Sequence, residues 1–158
     1  MTRPLAVALA LAAALSACSD GGSGAARTLP DARLPTLAGI LGPSLASCPT
    51  DKCLTVLVAP WCSVCHQAAP DIVSLRRFLD QAGVSSRVVV GASDDLPAIR
   101  TFAAEFGPDA LLDDAGALTS RGVPLFLVSD RRGRVLKVVD GFPQTDGPED
   151  LARLLGLI

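Results

Sequence analysis

Residues 54–59 (LTVLVA) form an unbroken apolar run of strand length, rich in branched side chains, the pattern of a central strand buried on both faces. Directly after it the period changes. From residue 62 to 81 the apolar positions Cys65, Ala69, Ile72, Val73, Leu75, Phe78 and Leu79 recur at helical spacing, and Gly83 follows as a stop. The spacing predicts a long amphipathic helix that contains Pro70, where one backbone donor is missing. Residues 87–92 (RVVVGA) predict a second buried strand, and residues 95–106 a second helix capped by Ser93 or Asp94. A polar, flexible stretch is expected over 107–121. Runs 123–128 and 134–139 flank Asp130, Arg131, Arg132 and Gly133 and predict a β-hairpin with a Gly-bearing turn; a last helix is expected over 146–155. Ahead of the first strand, Leu34, Leu37, Ala38, Leu41 and Leu45 also fall at helical spacing, with Pro35 near a first turn and Gly42-Pro43 as a stop, and predict a short first helix. The order helix, strand, helix, strand, helix, strand, strand, helix predicts an α/β fold with a central mixed β-sheet flanked by helices on both faces.

The first eighteen residues follow another pattern. Arg3 precedes an alanine and leucine run from Leu5 through Leu15 that is too short to span a bilayer. It ends in Leu15-Ser16-Ala17-Cys18, which resembles the lipobox of bacterial lipoprotein precursors. That resemblance implies a signal peptide over 1–17, lipidation of Cys18 as the mature N-terminus, and a protein held on a membrane surface without spanning it. Each buried methylene of the acyl chains adds roughly 0.8 kcal/mol to that attachment. In the same class, Ser19 directly after the cysteine accompanies outer-membrane sorting. An ordinary secretory signal cleaved near Ala17 is the alternative, and it leaves Cys18 as an exposed thiol. Residues 18–33, rich in Gly, Ser and Ala, are expected to form a flexible tether, with one domain over 34–158.

Charge and cysteine count narrow the partners. With 14 basic and 16 acidic side chains the chain has a formal net charge of −2, so no basic stripe is available for a nucleic acid. A monomer is expected. Of the five cysteines, Cys18 goes to the anchor, and the remaining four fall into two near-neighbour pairs, Cys48 with Cys53 and Cys62 with Cys65. An even set of this kind suits an exported, disulfide-permissive location.

The candidate chemistry lies where the first strand hands over to the long helix, at Trp61-Cys62-Ser63-Val64-Cys65. Two thiols three residues apart at a helix start can close into a small disulfide ring and reopen, and the first gains acidity from the helix N–H groups and dipole. Cys62, at the exposed helix start, is the candidate nucleophile; Cys65, one turn inside, is the candidate resolving thiol. A bare C-x-x-C also occurs as a structural disulfide or as half of a zinc site. With His66 it reads as C-x-x-C-H, the pattern of covalent c-type haem attachment in an electron-transfer protein. Against haem, His66 is the only histidine and Met1 the only methionine, so no usual distal ligand survives signal removal. His66 is otherwise a surface residue of the helix or a group that tunes the neighbouring thiolate. Cys48 and Cys53 are read as a disulfide fastening a loop, as a second dithiol relaying electrons to Cys62 and Cys65, or as part of a four-cysteine zinc site. Neither a metal nor a diffusible cofactor is expected.

Ala59-Pro60-Trp61-Cys62-Ser63-Val64-Cys65, Pro70 five residues past the second cysteine, and Gly122-Val123-Pro124 before a strand, in this order of elements, resemble the thioredoxin superfamily. The closer likeness is to exported thioredoxin-like thiol-disulfide oxidoreductases, over residues 34 to 158. The resemblance implies a thioredoxin fold and disulfide exchange with protein thiols in the bacterial envelope, facing the periplasm, with a further redox partner. It also implies a cis Pro124 facing the cysteines and a Val123 backbone that binds an extended substrate. Trp61 beside the cysteines would shield them and offer a flat contact surface. One departure matters: thioredoxins carry a buried carboxylate six residues before the first cysteine, where this chain has Val56. The proton of Cys65 would then pass through His66 or water. A lipoprotein that uses the fold only for binding, with its cysteine pair permanently oxidised, is the non-enzymatic alternative.

Overall fold

Strand β3 (Lys52–Val58) is the centre of the molecule, as its apolar run requires. A computed structural model describes residues 27–158; the signal run, Cys18 and the first part of the expected tether lie outside the described residues. In chain order the elements are β1 (Arg33–Pro35), β2 (Leu41–Ser44), β3, α1 (Ser63–Gln81), β4 (Ser85–Val90) and α2 (Leu96–Ala103), which tightens into a 3₁₀ turn (Ala104–Phe106). After these come β5 (Leu111–Leu112), β6 (Leu125–Asp130), β7 (Val135–Asp140) and α3 (Pro148–Leu155). The five-stranded sheet has the order β5-β4-β3-β6-β7. Its β3–β4 and β4–β5 pairs are parallel, and its β3–β6 and β6–β7 pairs antiparallel. This is the expected mixed sheet with flanking helices.

Strand alternation divides the core in two. Leu54, Val56 and Val58 of β3 point to one face, where they meet Ile72 and Leu75 of α1, Ile99 and Phe102 of α2 and Leu151 and Leu155 of α3. Leu57, with Val89, Leu111, Leu125 and Leu127, points to the other, which is covered by Leu29, Leu34, Leu45 and Leu118. The helices thus cover one face, and an N-terminal hairpin and a long loop cover the second, which corrects the expectation of helices on both faces. Crossover handedness accounts for it: β3-α1-β4 and β4-α2-β5 step the same way across the sheet, so right-handed crossovers set both helices on one side.

The short first helix expected over residues 34–45 is instead the antiparallel hairpin β1–β2. Gly39 turns through φ +86°, and the Thr36 N–H donates to the Ile40 carbonyl at 2.8 Å, which closes the hairpin loop. The loop docks on the sheet edge, where the Leu37 N–H donates to the Ala110 carbonyl at 2.8 Å. Leu34 and Leu45 are buried while Leu41 is exposed, so the helical spacing of the leucines was a coincidence of a strand-turn-strand path. Residues 28–32, expected in the tether, also belong to the domain: Leu29 is buried and its N–H donates to the Gly133 carbonyl at 2.8 Å. The stretch 107–121, expected to be polar and flexible, contains β5 and buries Ala110, Leu112, Asp113 and Leu118. The cap of α2 is Asp95, which accepts the Ala98 N–H at 3.0 Å, not Ser93 or Asp94.

The predicted hairpin β6–β7 turns at Asp130. Its carboxylate accepts the backbone N–H groups of Arg132 (2.9 Å) and Arg134 (3.0 Å) and the Arg134 side chain at 2.7 Å. Desolvation pushes this carboxyl up, but the Arg134 side chain, the two backbone donors and the arginine charge outweigh it and hold the pKa below the ordinary aspartate value. A folded-state pKa below the unfolded one stabilises the protein above the unfolded value, and that contribution is lost as pH falls through the folded value. Asp130→Asn is therefore expected to lower Tm at neutral pH and to match the parent once the pH is below the aspartate range. Thermal melts across pH check this; an unchanged Tm difference at all pH values would contradict it.

Candidate active site

The turn from β3 into α1 places the cysteines. The Cys62 N–H donates to the Ala59 carbonyl at 3.1 Å, closing a tight turn over Pro60 and Trp61. Cys62 is then the N-cap of α1, extended at φ −90° and ψ 107°, and its sulfur accepts the Cys65 N–H at 3.1 Å. This is the position where Ser or Asp normally satisfies a free helix N–H, and where the helix dipole favours negative charge. The two cysteines are joined as a disulfide with a Cα–Cα distance of 5.2 Å. Cys65 is fully buried in the helical core, whereas Cys62 keeps 6% of its surface. The side chains beside it, Trp61 (65% exposed) and Val64 (46%), leave an apolar platform around that small opening.

Val123 and Pro124, sixty residues away in sequence, arrive through strand register. Leu125 of β6 pairs with Leu57 of β3, so the preceding residues lie beside the turn that follows Val58. The Val123–Pro124 peptide bond is cis, and the Val123 carbonyl oxygen lies 3.4 Å from the Cys62 sulfur, where a Cys62 thiol would donate to it. A groove of about 510 Å³ opens from Trp61 and Val123 between the loop at Ser93 and the loop at Thr119. Two residues that the sequence reading missed shape it. Asp113, fully buried, accepts the N–H groups of Ala117 (2.7 Å) and Leu118 (2.8 Å) and so folds the loop that forms one wall. Ala92 sits at φ +52°, and its carbonyl accepts the Trp61 indole N–H at 2.7 Å. The Asp113-Asp114-x-Gly116 pattern was a legible turn signal; nothing marked Ala92.

His66 lies on the outer side of α1, its ring packed on Phe102 with centroids 4.1 Å apart and its Nε2 2.8 Å from the Pro60 carbonyl oxygen. A haem does not fit this arrangement. His66 Nε2 faces the Pro60 carbonyl, Cys65 is sealed in the core, and Phe102 packs against the face of the His66 ring. Val56 is buried in the same core cluster as Cys65, so the carboxylate position of thioredoxins is apolar here.

Cys48 and Cys53 form a second disulfide with a Cα–Cα distance of 5.6 Å, buried at the start of β3. From Cys53 to Val58 the strand rises about 17 Å, at roughly 3.3 Å per residue. The two pairs therefore occupy opposite ends of β3, which separates the thiols of a relay and the ligands of a four-cysteine zinc site. Among the described residues no cluster of three or more His, Cys, Asp or Glu could hold a metal ion. Arg87 secures the loop before Cys48 by donating to the carbonyls of Ser44 (2.8 Å) and Ser47, and burial lowers its pKa from the ordinary arginine value. Cys18 lies outside the described residues, and no helix among them is long and apolar enough to cross a membrane.

No family model matches the chain, and no curated protein does. Solved structures do. A secreted disulfide oxidoreductase of Mycobacterium tuberculosis, homologous to E. coli DsbE, superposes with a TM-score of 0.62 at 16% identity, over 81% of this chain and 96% of its own. An exposed lipoprotein thioredoxin of Streptococcus pneumoniae gives 0.64 at 20% identity, over 82% and 100%. A thio-disulfide isomerase of Thermus thermophilus gives 0.58 at 22% identity, over 83% and 96%. The chain has a thioredoxin fold, as the resemblance implied, with a cysteine pair at disulfide distance at the start of a helix.

Proposed function

We propose that this protein is a thiol-disulfide oxidoreductase that exchanges disulfides with proteins of the bacterial envelope through Cys62 and Cys65. The observation that carries the reading is the cap of α1: the Cys62 sulfur takes the place of a capping oxygen, accepts the Cys65 N–H and faces the Val123 carbonyl. The helix end stabilises a Cys62 thiolate, which attacks a substrate disulfide to form a mixed disulfide and expels one substrate thiolate. Cys65 then loses its proton to water or to the departing thiolate and attacks the Cys62 sulfur. That step releases the reduced substrate and closes the Cys62–Cys65 disulfide; oxidation of substrates runs the same steps in reverse. Trp61, Val64 and the Val123–Pro124 backbone form the rim against which an extended polypeptide lies. Cys48–Cys53 fastens the loop ahead of β3 and takes no part in exchange.

The lipobox at Leu15-Ser16-Ala17-Cys18 supports export and attachment to a membrane through Cys18, with the domain facing the periplasm as a monomer and Ser19 favouring the outer membrane. That one structural neighbour is a secreted oxidoreductase and another an exposed lipoprotein agrees with this placement. The test is trapping. Cys65→Ala, expressed as the full chain in a bacterial envelope, is expected to accumulate mixed disulfides between Cys62 and envelope proteins that dithiothreitol releases. An absence of such adducts in Cys65→Ala, with the protein folded and exported, would contradict the reading.

A further inference from the structure

The exchange chemistry leaves His66, which directly follows Cys65, without a part. Its ring is held on three sides. Nε2 lies 2.8 Å from the Pro60 carbonyl oxygen, Nδ1 lies 3.4 Å from a Glu105 carboxylate oxygen, and the ring packs on Phe102, which itself meets Phe106 edge-on at 5.2 Å. Both polar partners are acceptors only. A merely solvated histidine on a helix would leave the Pro60 carbonyl to water; here the contact reaches back six residues, over the turn that delivers the cysteines.

Pro60 and Trp61 are the two residues inside that turn, which the Cys62 N–H closes onto Ala59. On one side the Trp61 indole is tied to Ala92 at the end of β4. On the other the Pro60 carbonyl is tied through His66 to Glu105 in the 3₁₀ turn after α2. The turn that sets where the Cys62 sulfur stands is thus clamped from both sides to elements other than its own. An attacking sulfur must meet a disulfide in line, and small misplacements of a reacting atom cost rate steeply.

We propose that His66 is a positioning residue for disulfide exchange: its ring, packed on Phe102, bridges the Pro60 carbonyl and the Glu105 carboxylate and so fixes the turn carrying Trp61 and Cys62. The proposal rests on the exchange reading above. What position 66 requires is a donor toward the Pro60 carbonyl and a contact with the Glu105 carboxylate, not an imidazole as proton carrier. Lysine supplies donors and a positive charge for the carboxylate, glutamine donors without the charge, and alanine neither.

The experiment measures the exchange rate of the reduced full chain with a small aromatic disulfide, together with the emission of Trp61, the only tryptophan. His66→Ala is expected to slow exchange about two- to tenfold, the range corresponding to one lost hydrogen bond, and to shift the Trp61 emission. His66→Lys is expected to restore both to within about twofold of wild type, with His66→Gln between. Glu105→Ala is expected to slow the wild type and to have no further effect on His66→Ala, because the two act through one contact. Equal rates and emission in the Ala, Gln and Lys variants, or additive losses for His66 and Glu105, would overturn the clip while Cys62 and Cys65 still exchange. A wild type that does not exchange at all overturns the exchange reading, and the clip with it.

Discussion

Replacing Cys62 by serine is expected to remove all measurable disulfide exchange without weakening the fold. The loss follows because an alcohol offers no thiolate, and because Cys65, sealed in the helical core, cannot meet an incoming disulfide in its place. The fold is spared because residue 62 caps α1 by accepting the Cys65 N–H, and serine is among the best residues for that task. Cys65→Ala should behave differently. It keeps the first attack, loses the second, and stops at the mixed disulfide; alanine avoids leaving a buried hydroxyl unpaired in the core. Exchange rate and thermal melting measured on the same samples separate chemistry from stability. Residual turnover in Cys62→Ser close to the parent would place the nucleophile elsewhere.

The second large effect is on stability. Removing Cys48–Cys53 by the double change Cys48→Ala and Cys53→Ala is expected to cost about 2 kcal/mol, from the loop-closure entropy of so short a ring. For a domain of this size that corresponds to a fall in Tm of about 7 °C. Exchange at Cys62 is expected to stay within about twofold of the parent, since a strand's length separates the pairs and no element carries thiols between them. Thermal melts and exchange rates of the double variant decide the matter. Full stability with lost exchange would make the second pair a relay after all.

How far the sequence could be read depended on whether an element's pattern was its own. The strand β3 and the helix α1 were legible because burial on two faces and burial along one stripe impose different periods, and the change falls at Cys62. The β6–β7 hairpin was legible from its Gly-bearing turn. The hairpin β1–β2 was not, because Leu34, Leu37, Leu41 and Leu45 happen to sit at helical spacing, and only the docking of Leu37 on Ala110 decides for strand. Strand β5 has two residues and exists because β4 offers it an edge, a tertiary cause with no local signature.

The site divides in the same way. Cys62, Cys65 and Trp61 are contiguous, so their geometry is that of one turn. Val123 and Pro124 were placed near them by resemblance alone, and strand register supplies the physical reason. Glu105, thirty-nine residues from His66, could not be paired with it until α1 and α2 were known to share a face of the sheet.

Whether Cys62 and Cys65 form a working redox couple is decided by a redox titration of the full chain in defined thiol buffers, with alkylation and mass readout at each cysteine. Reversible titration of Cys62–Cys65 is expected at a potential between about −270 and −120 mV, while Cys48–Cys53 stays oxidised throughout, as structural disulfides below roughly −300 mV do. A Cys62–Cys65 pair that does not titrate in that window, or titration of Cys48–Cys53 in its place, would contradict it.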